Sequence, residues 1–138
     1  MLLGKNSNFI IINNVAYDVN EIDFVKIHYI NRNFIFEFIT KDKKKIEIFE
    51  LKHSLNSVFR LCRKLNKIGF SQFAMLGYKL IVNMDNVKSI SYEQGNANLH
   101  FDDFIYHEKV DENLLKEFKL IFKDYHDIKN NDCQLWYV

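Results

Sequence analysis

Asn31, Arg32 and Asn33 stand together in a polar break between two apolar stretches. Their side chains carry the chemistry that reads base edges. Asn is matched to adenine and Arg to guanine, each through a two-point hydrogen bond. The same triplet is also what an ordinary polar turn is made of. A loop of this type serves both purposes equally well.

Enzyme chemistry has less footing. The five histidines, His28, His53, His100, His107 and His126, show no H-x-x-x-H and no His–Cys spacing suited to a metal. Asp102-Asp103 with Glu108 is a carboxylate group, but an Asp-Asp pair is a standard turn. No G-x-S-x-G, P-loop or G-x-G-x-x-G sequence occurs. Cys62 and Cys133 have no matching His motif. We therefore expect no catalysis, and neither a cofactor, a metal nor a small-molecule ligand is implied.

The elements that must hold these residues follow from apolar spacing. Phe9–Ile12 is β-branched, Asn13-Asn14 marks a turn, and Val15, Tyr17 and Val19 alternate, which predicts a strand pair. Ile22–Tyr29 alternates with a switch of face after Phe24, as at a bulge. Phe34–Thr40 predicts a strand, Lys41–Lys45 a charged hairpin tip, and Ile46, Ile48 and Phe49 the returning strand. Ser54–Ile68 predicts a helix, with Leu55, Val58, Phe59, Cys62, Leu65 and Ile68 as its buried stripe. Ser54 suits its N-cap and Gly69 the position past its end. Arg60, Arg63, Lys64 and Lys67 read as its solvated face. Leu80-Ile81-Val82 runs into Asn83, Asp85-Asn86 turns, and Val87, Ile90 and Tyr92 resume. Gly95-Asn96 and Asp102-Asp103 mark two further turns among Leu99, Phe101, Phe104 and Tyr106. Asp111–Tyr125 predicts a last helix, striped by Leu114, Leu115, Phe118, Ile121, Phe122 and Tyr125. Leu135-Trp136-Tyr137 is an apolar end that should dock.

A chain of 138 residues is one domain's worth, so we expect a single domain over 1–138. It is 48% hydrophobic and 15% aromatic, which excludes a disordered coat. Its net charge of +1 argues against a uniformly basic nucleic-acid binder and leaves a local patch open. No apolar run reaches a membrane-spanning length. The start carries no small-residue cleavage site, and two cysteines make no disulfide framework. We therefore expect an intracellular, cytoplasmic chain.

From about Phe9 to about Phe122 the chain resembles the LytTR-type DNA-binding domain, the output module of many bacterial transcription regulators. Ile22-Asp23-Phe24-Val25 stands where the family has a strand written roughly I-x-Y-I-E. Leu55 and the helix after it stand where it has S-L-x-x-L. Leu80-Ile81-Val82-Asn83 matches its Y-I-V-N, with Val87 and Ile90 for the isoleucines beyond. Leu99-His100-Phe101 and Ile105-Tyr106 sit at its final hairpin, and the helix from Asp111 closes it. Two places depart from the pattern. Gly77-Tyr78-Lys79 replaces H-R-S, and Tyr106-His107-Glu108-Lys109 replaces a final S-R.

The resemblance implies a mostly antiparallel β module with a central amphipathic helix and a C-terminal helix, an α+β fold that places loops in successive major grooves. The core would span 9–122, with 123–138 as a C-terminal extension. It puts Asn31, Arg32 and Asn33 in a recognition loop, and Tyr78 and Lys79 at a second. There Lys79 would hold a phosphate, as would Lys88. His107 and Lys109 fall at the last base-contacting position, with the acidic Glu108 beside them. The implied function is a stand-alone regulator binding duplex DNA as a homodimer or on paired sites. The alternative is a LytTR-derived protein-interaction module that has lost specific DNA contact.

Overall fold

Residues 2–3, 9–50, 55–66 and 72–130 are described by the computed structural model of the chain. The chain divides into two compact units, residues 1–87 and 88–138.

In the first unit, β1 (Leu2–Leu3), β2 (Phe9–Ile12) and β3 (Val15–Asp18) form one antiparallel sheet in that order. Asn13 and Asn14 turn the chain at φ 51° and 66°. A two-residue hairpin needs this left-handed pair, and Asn tolerates it. The alternation through Val19 does not extend the strand, because residues Val19–Glu21 form a single 3-10 turn. Asp18 caps that turn by accepting from the Asn20 amide at 2.9 Å.

A five-stranded sheet follows. Its strands are β4 (Ile22–Ile30), β5 (Asn33–Thr40), β6 (Lys45–Glu50), β7 (Phe73–Leu76) and β8 (Leu80–Asn83). All neighbours are antiparallel, in the order β6-β5-β4-β8-β7. The register of β4 on β5 shifts between Ile22 and Phe24, ahead of the face switch expected after Phe24. The strand β7 had no expectation behind it. Its Ala, Met and Leu are not strand formers, so pairing with β8 decides its conformation.

Between β6 and β7 lies α1 (Asn56–Leu65). The expected start at Ser54 and stop at Ile68 and Gly69 lie outside the described residues. The residue preceding α1 is Leu55, with no side-chain cap. The buried stripe is Ser57, Val58, Leu61 and Leu65, not the expected Leu55, Val58, Phe59, Cys62 and Leu65. The helix is rotated so that Leu55 and Phe59 stay 45% and 43% exposed. Cys62 packs at the edge of the core, and its burial pushes the thiol pKa up. Val58, Leu61 and Leu65 pack with Val25, Phe34, Phe36, Phe38, Phe73 and Ile81 of the sheet, and with Ile10 and Ile12 of the smaller one.

A buried polar cluster fixes the end of β8. Asn83 is fully buried; its Nδ2 donates to Ile22 O at 2.9 Å, and its Oδ1 accepts from Asp85 N and Gln72 Nε2, each at 3.1 Å. Asn86 Nδ2 donates to Asn20 O and to the buried Asp23 carboxylate. The Asn83 side chain thus bonds the backbone of the turn that follows β8.

In the second unit, β9 (Ser89–Glu93), β10 (Asn96–His100) and β11 (Ile105–Lys109) form an antiparallel sheet in the order β11-β10-β9. The first turn is Gln94-Gly95, at φ 52° and 82°, one residue earlier than expected, and Asn96 already belongs to β10. The Asp102-Asp103 turn falls between β10 and β11 as expected. The helix α2 (Glu112–Asn130) runs beyond the expected end at Tyr125 and crosses position 122 unbroken. Asp111 accepts from the Asn113 amide at its start. Only Leu115 and Phe118 of its expected stripe are fully buried, while Leu114 and Ile121 are exposed. Cys133 and Leu135-Trp136-Tyr137 lie outside the described residues. The fold is mostly β with two helices, as expected. No described helix is long and apolar enough to cross a membrane.

Candidate nucleic-acid interface

Two turns of the first unit present side chains at the same end of its larger sheet. β4 ends at Ile30, which pairs with Asn33, so Asn31 and Arg32 alone make the hairpin tip. Both have positive φ, 51° and 65°, and both are exposed. Asn33 is half-buried as the first residue of β5. Gly77, Tyr78 and Lys79 make the turn from β7 to β8, with Gly77 at φ 56°. β8 is antiparallel to β4, with Lys26 opposite Leu80, so this turn points toward the C-terminal end of β4. The Ile27 amide donates to Lys79 O at 2.9 Å, which clamps the second turn onto the strand that carries the first. From Ile27 to Asn31 is four residues, about 13 Å along the strand. The structure thus brings Asn31, Arg32, Tyr78 and Lys79 to one sheet end.

The surface between these turns is apolar. Ile27, Tyr29, Phe34, Leu55 and Tyr78 line an open pocket of about 300 Å³. Tyr29 and Phe34 rings meet at 4.8 Å, and Tyr78 meets Phe59 edge-on at 6.2 Å. Tyr78 is 55% exposed, so its ring forms a wall and its hydroxyl reaches water. The outward rotation of α1 supplies Leu55 and Phe59 to this patch.

Lys88, His107 and Lys109 belong to the second unit. His107 and Lys109 are exposed and alternate on β11, so they share a face of that sheet. Glu108, between them, faces the other way and accepts the Tyr106 hydroxyl at 3.2 Å. The acid beside them in sequence therefore lies on the opposite face of the strand. Lys88 sits at the far end of the sheet from Lys109. Its amide donates to His100 O, and Lys109 pairs with Asn96. Lys88 Nζ lies 3.4 Å from the Asp102 carboxylate in an exposed ion pair.

Sequence reasoning missed the partners of His107. Asn96, Asn98 and His100 alternate along β10 with the buried Ala97 and Leu99. Asn98 stands opposite both Ser91 and His107, and its side chain bonds to each. The signal was the period-two pattern N-A-N-L-H, whose polar members had to share a face. Among the described residues, no group of His, Cys, Asp and Glu is placed to hold a metal ion.

No family model matches the sequence, and no curated protein matches it. Among solved structures, the fold is similar to the LytTr DNA-binding domain of a Bacillus cereus protein described as a methyl-accepting/DNA response regulator. The TM-score is 0.50 at 15% identity, covering 84% of this chain and 95% of that one. At that identity the likeness is one of fold, and the fold of this chain is LytTR-type.

Proposed function

We propose that this chain is a transcription regulator that binds duplex DNA in a sequence-specific way through loops set in the major groove. The observation that carries the reading is the placement of Asn31-Arg32 and Tyr78-Lys79 at one end of one sheet, on a fold shared with a domain described as DNA-binding. Arg32, with Asn31 and Asn33, reads base edges. Lys79 holds a phosphate, and Tyr78 packs on the sugar-phosphate edge beside it. In the second unit, His107 and Lys109 supply a further contact, and Lys88 a weaker one because Asp102 already engages it. The core of this activity spans residues 9–122. The chain acts in the cytoplasm as a homodimer or on paired sites, and its role is binding, not catalysis.

Fluorescence anisotropy with duplexes from the chain's own upstream region tests this. Arg32→Ala should weaken the preferred duplex by roughly 1–3 kcal/mol and relax its preference over a scrambled one. Equal affinity of wild type and variant for both duplexes would overturn the reading. The exposed Tyr29, Leu55, Phe59 and Tyr78 would then point to a protein partner instead.

A further inference from the structure

The side chain of Asn98 is 7% exposed although it lies on the polar face of its sheet. It is covered by the row it bridges. Its Oδ1 meets His107 Nδ1, and its Nδ2 donates to Ser91 Oγ at 3.4 Å. Ser91 Oγ in turn lies 3.2 Å from His100 Nε2. A carboxamide oxygen can only accept, so His107 must donate through Nδ1–H. That fixes the ring. In the neutral imidazole the proton is on Nδ1, and the exposed Nε2 carries a lone pair. In the imidazolium the bond to Asn98 persists, and Nε2–H becomes an outward, positively charged donor.

We propose that Asn98 is a positioning residue that makes the His107 contact to DNA depend on protonation. This rests on the DNA reading above and deepens it. A lone pair at Nε2 repels phosphate oxygens, and so it does the N7 and O6 acceptors of guanine. An Nε2–H donor binds either. Binding through His107 therefore takes up one proton, and affinity rises as pH falls. The other titratable groups on this face of the unit are Lys109 on β11, His100 on β10 and Glu93 on β9. His100 reaches His107 only through the side chains of Ser91 and Asn98.

The test is anisotropy of the full chain with a fluorescein-labelled mixed-sequence duplex, from about pH 5 to pH 8 at fixed ionic strength. Wild type should lose affinity as pH rises, by up to about tenfold per pH unit where one proton is linked. His107→Gln cannot take up that proton. Its profile should flatten and meet wild type at the alkaline end. Asn98→Asp keeps an acceptor for Nδ1–H and adds charge that favours the imidazolium, so the midpoint should move to higher pH. The His107 ring resonances should report the same shift by NMR without DNA. Binding by His107→Gln with the wild-type pH profile would overturn this inference and leave the DNA reading standing. Absence of binding at every pH would overturn both.

Discussion

Arg32 sits at φ 65°, a region that costs a residue with a Cβ roughly 1–2 kcal/mol. The same hairpin position in a two-residue turn is usually Gly. On the proposed reading, an Arg kept there in spite of the cost is held for what its side chain does. Arg32→Gly should therefore raise the unfolding free energy, by up to about 1 kcal/mol, while DNA affinity falls. Chemical denaturation beside anisotropy measures the two together, and a variant that is destabilised with unchanged affinity would show Arg32 to be structural. Asn83 makes the contrasting case. It is fully buried with its amide satisfied on both ends, and Asn83→Ala removes its bonds to Ile22 O and Asp85 N. The loss should be about 1–3 kcal/mol of stability, with DNA affinity unchanged in the folded fraction. Both residues were legible in the sequence, one as a polar break and the other as the polar end of an apolar strand. Asn98 was not, because its meaning lies across two strands, in residues seven and nine positions away along the chain.

At the scale of the element, α1 shows where spacing misleads. Apolar residues at Leu55, Val58, Leu61, Phe59, Cys62 and Leu65 spread over about 160° of the helix circumference, so two overlapping stripes fit. Packing chose the one through Leu61, and small Ser57 is buried beside it. Leu61→Ala should cost about 2–5 kcal/mol. Phe59→Ser should change stability by no more than about 0.5–1 kcal/mol, since it loses one exposed ring contact with Tyr78. Denaturant midpoints settle this, and the reverse order would restore the stripe read from sequence. The link from α1 to β7 was equally hidden. The Asn66 side chain bonds both the amide and the carbonyl of Phe73, at 2.6 and 3.0 Å, as a neighbouring strand would. A run of Phe-Ala-Met-Leu carries no such information by itself. The strands β2 to β6 and β8 to β11 were legible because alternation and turn residues agree there.

For the molecule as a whole, a net charge of +1 cannot attract DNA from all sides. On the proposed reading, affinity comes from local contacts, and their number is countable from its salt dependence. The fold class was legible because apolar period and turn chemistry survive at identities where recognition residues do not, and this chain shares 15% identity with a domain of the same fold. The proposed partner was less legible, since the residues proposed to touch it lie in turns whose polarity a solvated loop would share.

The most direct measurement is the slope of log affinity for duplex DNA against log salt, for wild type and for Lys79→Gln. The account predicts a negative wild-type slope, weakened by about one unit in Lys79→Gln, with affinity for every sequence reduced about equally. A wild-type affinity that does not fall as salt rises, or a slope that Lys79→Gln leaves unchanged, would contradict it.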